Sequence, residues 1–199
     1  MIIGIFGRAG AGKDTFSDYL VKKHDFIKIA FADKIKRILM DLYGFNYNQL
    51  WGPSAERALE NDKGLTVRLC SQKFGDCGRE LSLDTWTDYC ANIIDKLHNV
   101  GGYSYLAHTG LQKYNSTEKR NVIVSDCRYL NEILKIKELG GFCIRIKKSN
   151  NGLHGSAGQH SSEKDQDNIK DSVFDEIIVN DGTLEDLYNK VDYIFGKYK

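Results

Sequence analysis

Residues 2–15 read Ile-Ile-Gly-Ile-Phe-Gly-Arg-Ala-Gly-Ala-Gly-Lys-Asp-Thr, an apolar run that breaks into glycines and ends on Lys-Asp-Thr. The apolar part, Ile2 to Phe6, suits a buried strand. Lys13 to Lys23 carries Phe16, Tyr19 and Leu20 at helical spacing and suits a helix. A glycine-rich turn between strand and helix is a phosphate-binding loop: backbone N–H groups turn inward around phosphate oxygens, and the helix N-terminus adds its positive end. Gly10, Ala11 and Gly12 form the expected cradle, and Lys13 reaches the outer phosphates of a nucleoside triphosphate. The strict pattern has Ser or Thr straight after the lysine; here Asp14 precedes Thr15. A carboxylate beside triphosphate is repulsive unless a metal or a lysine compensates it. Asp14 therefore reads either as part of a Mg²⁺ shell or as a first-turn acid favoured by the helix dipole.

The rest of the chain repeats the alternation. Strand-like segments are expected at 26–31, 121–125, 142–146 and 176–179, and helices at 32–43, 130–139 and 183–195. On the 32–43 helix Ile35, Ile38, Leu39 and Leu42 share one face. Between residues 44 and 99 the alternation stops, and two helices are expected, over 66–74 and 84–98, with Thr66 and Asp84 at N-cap positions. Residues 103–120 are polar and turn-rich, and about 148–167 reads as a lid-like loop. Five strands separated by helices imply an α/β fold of three layers, a parallel sheet with helices on both faces. All 199 residues fit one domain, with about 44–99 as a helical insertion over one sheet edge.

Composition narrows the classes. With 41% hydrophobic and 28% charged residues, general disorder is excluded. A net charge of +1 argues against a broad nucleic-acid-binding face. No run of about 18 apolar residues is present to span a bilayer, and no basic leader precedes the first apolar run, so a cytoplasmic location is expected. Five cysteines without a Cys-x-x-Cys pair read as reduced core thiols, not a disulfide frame or zinc site.

Further candidates lie beyond the loop. Val122 to Asp126 is an apolar strand ending in an acid, which puts Asp126 at the carboxyl edge of the sheet, where ligands of open α/β sheets sit. It reads as a Mg²⁺ contact or as a helix cap, and Arg128 follows close enough to face the same crevice. Arg68 and Gln72, four apart on a helix, share a face; they suit a phosphate beside a base edge, or are solvated side chains. Trp86 either stacks on a base or fills core.

Taken in order, these segments resemble the bacteriophage-type deoxynucleoside monophosphate kinases, a branch of the P-loop nucleotide kinases. The resemblance rests on Gly12-Lys-Asp-Thr15, Phe31-Ala-Asp-Lys-Ile-Lys36, Val67-Arg-Leu-Cys-Ser-Gln-Lys-Phe-Gly75 with Asp84-Thr-Trp86, and Val124-Ser-Asp-Cys-Arg128 with Asn131-Glu132. His160-Ser-Ser-Glu163 and Val179-Asn-Asp-Gly-Thr-Leu-Glu-Asp-Leu187 complete it. Asp76 departs from it, standing where the family often has Thr. Segments 44–64 and 99–120 match nothing in the family pattern.

The resemblance implies transfer of the ATP γ-phosphoryl group to a deoxynucleoside 5′-monophosphate (dNMP). Lys13, Arg128 and Asp126 would be catalytic, with Thr15 and Asp126 in the Mg²⁺ shell. Lys36 and Arg68 would hold the acceptor phosphate, and Gln72 and Trp86 would address base or sugar, with Gly75 and Glu132 beside them. Asn180 to Gly182 would border the adenine. His160 and Glu163 belong either to a closing lid or to a solvated loop. The partners are then small molecules, with neither nucleic acid nor membrane, and monomer and homodimer both stay open. Two rival readings remain: another small-molecule P-loop kinase, of the dephospho-coenzyme A or phosphomevalonate kind, and a non-catalytic nucleotide-binding switch.

Overall fold

Five consecutive buried residues make β1 (Ile2–Phe6) the central strand of the molecule. The computed structural model, which describes residues 1–149, 166 and 168–199, sets it in a five-stranded sheet. Its neighbours are β5 (Val122–Cys127) and β6 (Phe142–Lys147), with β2 (Ile27–Ile29) and β7 (Glu176–Val179) outermost, all parallel. Side-chain alternation along β1 serves two cores. Ile2 and Phe6 join Ile93, Ile94, Leu97 and Ile133, from α6 (Thr85–Asp95), the turn after it and α7 (Leu130–Glu138). Ile3 and Ile5 join Phe16, Leu20, Leu187 and Val191, from α1 (Lys13–His24) and α8 (Leu184–Tyr198). The expected three-layer α/β architecture is the one observed.

A third core joins α2 (Asp33–Tyr43) to the helices that follow it, α2 packing on α5 (Val67–Leu81) through Ile35, Leu39, Val67 and Cys70. Phe45 and Leu50 close it, the latter from α3 (Tyr47–Trp51), which α4 (Ser54–Arg57) follows.

Several sequence expectations are corrected. Helix α5 runs to Leu81 and not to Phe74, because its glycines make a seat for Trp86: a Cβ on Gly78 would lie 2.4 Å from the indole. Thr66 caps α5, accepting from the Leu69 amide at 3.2 Å. Asp84 holds the expected N-cap position of α6, but its carboxylate takes no backbone amide there and accepts from the Thr87 hydroxyl and the Asn131 amide instead. Residues 103–113, read as turns, form the antiparallel hairpin of β3 (Tyr103–Leu106) and β4 (Gly110–Lys113). Leu42 is exposed, since α2 buries Ile35 and Leu39 and ends before Leu42 meets anything. Four cysteines are buried thiols, but Cys77 is exposed on α5. The loop expected over about 148–167, with His160 and Glu163, lies almost wholly outside the described residues. Among the described residues no helix is long and apolar enough to cross a membrane.

Candidate active site

The loop after β1 has the geometry its glycines permit. Gly12 sits at φ 103°, a left-handed conformation that turns its amide into the cradle as α1 begins. No side chain fits there: a Cβ on Gly12 would meet the Asn180 amide at 2.4 Å. That amide donates to the Ala11 carbonyl at 2.9 Å, so Asn180 braces the loop from outside. Gly182 follows, packed close against the Asp186 carboxylate. Lys13 folds over the loop and donates to the carbonyls of Gly7 and Arg8 at 2.6 and 2.9 Å. Gly10 and Thr15 flank this turn on its two sides.

Asp14 has the lysine its position demanded. Lys28, at the middle of β2, reaches Asp14 at 3.0 Å and Asp18 at 2.9 Å. Desolvation beside the loop raises the Asp14 pKa, but Lys28, with Lys13 and Arg57, outweighs it and holds the carboxyl below its ordinary value.

Asp126 stands at the same edge of the sheet as the loop, since Phe6 pairs with Cys127. Its two carboxylate oxygens accept from the amides of Phe31 and Ala32, at 2.8 and 3.1 Å. It thus fixes the turn that launches α2, and with it Lys36 one turn further on. Burial and the neighbouring Asp33 push the Asp126 pKa up, against the pull of those amides and of Arg128. Lys36 lies over the Trp51 ring, 5.6 Å from its centroid. Burial lowers its pKa in spite of Asp33 and Asp126. A half-buried ammonium at this edge is suited to bind an anion.

Among the described residues no three His, Cys, Asp or Glu side chains come together as a cation cage. Mg²⁺ needs less, one or two carboxylates with waters and the substrate's own phosphates. Thr15, Asp14 and Asp126 are hard oxygen donors around the loop, and that donor set fits the ion.

On α5, Arg68, Gln72, Gly75 and Arg79 form a stripe at helical spacing. Arg68 is exposed and Gln72 half-buried. Gly75 leaves room for the Arg79 guanidinium, which pairs with Asp76 at 2.6 Å and lies over the Tyr129 ring at 4.5 Å. The stripe therefore ends beside Arg128. Trp86 is committed to packing: its N–H donates to the Gly75 carbonyl at 3.0 Å and its face covers Gly78. Glu132, only 6% exposed, accepts from the amides of Arg128 and Tyr129 at 2.5 and 3.0 Å. It acts on Arg128 through the backbone, and its own carboxylate faces inward.

Three cations near the site escaped the sequence reading. Lys28 could have been found from the alternation Ile27-Lys28-Ile29, which turns it off the apolar face. Arg79 extends the Arg68–Gln72 stripe and was legible from spacing. Arg57, whose charge acts on both Asp14 and Lys36, comes from a segment with no pattern to announce it.

The family model for deoxynucleotide monophosphate kinases matches residues 55–191. A curated relative from Acanthamoeba polyphaga mimivirus, named by inference as a deoxynucleotide monophosphate kinase, is 31% identical over 197 residues. That match spans 96% of this chain and 94% of the relative. Among solved structures, dephospho-CoA kinase from Campylobacter jejuni superposes with a TM-score of 0.51 over 99% of this chain and 96% of its own. At 16% identity that likeness shows the P-loop kinase fold alone. Loop, sheet edge and sequence kinship agree, and the chain belongs to the deoxynucleotide monophosphate kinase family.

Proposed function

We propose that this chain transfers the γ-phosphoryl group of Mg-ATP to the 5′-phosphate of a dNMP, giving the diphosphate and ADP. One observation carries the reading: two cationic stations, Lys13 in the glycine loop and Lys36 at the start of α2, are tied to one sheet edge by Asp126, which binds the turn that launches α2. Both reactants are anions, so a site for them must be cationic on two sides. Lys13 neutralises the migrating group, Lys36 and Arg68 hold the acceptor phosphate, and Arg128 serves between them. Arg57 adds charge over both stations. Gln72 addresses the nucleoside, and Asn180 and Gly182 border the adenine. Mg²⁺, held by Thr15 with Asp14 or Asp126, supplies charge neutralisation of the phosphates. The acceptor is already an anion, so no residue has to remove a proton, and the protein's task is to position and neutralise.

We take the chain as one catalytic domain with its insertion on the acceptor side, working in the cytoplasm (a host's, if viral) on small molecules. The test is purified protein with Mg-ATP and each dNMP and NMP in turn, products being separated by chromatography. Equimolar ADP and dNDP are expected. ATP binding with no ADP formed from any acceptor would leave a switch module, and transfer only to a hydroxyl acceptor would move the chain to another kinase class.

A further inference from the structure

Segments 44–64 and 99–120, in which the sequence showed no motif, meet in the structure, and they meet beside Lys36. Tyr47 and Trp51 of α3 lie 5.7 Å apart at 32°. His108, in the turn between β3 and β4, stands edge-on to both, 5.4 Å from Tyr47 at 86° and 6.4 Å from Trp51 at 69°. The Trp51 ring is also the one under Lys36. Three packed rings therefore stand beside the proposed acceptor-phosphate lysine, one wall of the cluster coming from α3 and the other from the β3–β4 turn.

Both walls are fastened to α2 by a buried polar network. Asp33 accepts from the Trp51 indole N–H at 3.0 Å and from the Tyr105 hydroxyl at 3.1 Å. Arg37, on the next turn, donates to the Ala107 carbonyl at 2.5 Å, one residue before His108. Apolar packing alone would hold a helix and a hairpin together without two buried charges. The network fixes ring positions relative to Lys36, as a preorganised ligand site requires. The rings are not simply core, for Tyr47 is 53% exposed and His108 half-exposed. Trp86, the other aromatic candidate, has its N–H and one face committed to α5.

We propose that the Tyr47–Trp51–His108 cluster receives the nucleobase of the monophosphate acceptor on its exposed side, Tyr47 offering a face for stacking and His108 a ring nitrogen to the base edge. The proposal rests on the reading of Lys36 as the acceptor-phosphate group. Stacking tolerates any base, while a hydrogen bond from His108 discriminates among them. Affinity and base ranking are thus set by different residues.

The experiment uses the full chain and two readouts. Equilibrium binding of each dNMP is compared with that of deoxyribose 5-phosphate, which has the phosphate without the base, and turnover is measured in parallel. Wild type should bind dNMPs more tightly than the sugar phosphate. Tyr47→Leu should weaken every dNMP about tenfold, with Tyr47→Phe close to wild type and the KM for ATP unchanged. His108→Ala should reorder kcat/KM among the four bases, which a purely structural loss would not do; thermal unfolding checks that each variant is folded. Wild-type turnover with no advantage of dNMP over sugar phosphate, or with affinity and ranking unchanged in both variants, overturns the aromatic base site and leaves the kinase reading intact. Absence of both binding and turnover in wild type overturns the kinase reading, and the base site with it.

Discussion

Glu132 offers a measurement of what holds Arg128 in place. Its carboxylate is buried at the entry to α7 and accepts two backbone amides, those of Arg128 and Tyr129. Burial raises its pKa from 4.5 to about 7, the amides and Arg128 opposing the rise and Asp126 adding to it. A carboxyl with a raised folded-state pKa keeps a proton that the unfolded chain has already released. Its contribution to stability is therefore whole below about pH 4.5 and is lost as the pH rises through 7. The gap between 4.5 and about 7 corresponds to about 3 kcal/mol at the usual 1.4 kcal/mol per tenfold. Glu132→Gln keeps the shape and an accepting oxygen but cannot ionise. Urea unfolding of both proteins from pH 4.5 to 7.5 isolates this group together with its coupling to Asp126, the remaining titrations being common to the pair. The stability of the variant relative to wild type should climb by about 3 kcal/mol over that range. Parallel stability curves would refute the argument, and would mean that the amides, not burial, govern this carboxyl.

Lys13→Ala should lower kcat by about a hundredfold or more with little loss of stability, because the lysine reaches over the loop to bond the carbonyls of Gly7 and Arg8 rather than packing in the core; near-normal turnover would show that this loop is not the catalytic cradle. Arg68→Ala should raise the KM for dNMP by roughly 10- to 100-fold, the loss of one charge-assisted bond, and leave the KM for ATP alone; equal damage to both would put Arg68 in the scaffold. The acceptor's own second pKa is near 6, so kcat/KM should rise through about pH 6 and then stay level to about pH 8. A sulfur-substituted monophosphate, with a lower second pKa, should move that limb down, and a limb that stays put would contradict an anionic acceptor.

What was legible in the sequence was what periodicity and one motif can carry. The apolar runs of Ile2–Phe6 and of Val122–Asp126 foretold strands, and the glycines before Lys13 foretold the turn, because those patterns are enforced by burial and by backbone sterics. The hairpin at 103–113 was not legible, since of its first strand only Tyr105 is buried and no long apolar run marks it. Helix α3 has only five residues, too few for a period to show. Its signal was local: Asn46 and Gln49 form a capping box, each side chain accepting from the other's amide at 3.0 Å. At the site, spacing put Arg68 with Gln72 but could not say that Trp86 would lie on Gly78. Nor could it say that Asp126 would bind the start of α2, 94 residues back in the chain. Contacts of that kind are set by tertiary packing, which no local pattern records.

The amide that Asn180 lends to Ala11 bears on how the molecule is made. The glycine loop emerges from the ribosome long before its brace, which lies 169 residues further along. The strands on either side of β1 are also late, at 122–127 and 142–147. During most of translation, then, the nascent chain holds the residues of a nucleotide site without the site. ATP binds only a folded loop, so it cannot act as an early folding ligand; its stabilising effect by mass action begins with the finished chain. Contacts this distant in sequence also slow folding, and they make the donor site among the last parts of the molecule to exist.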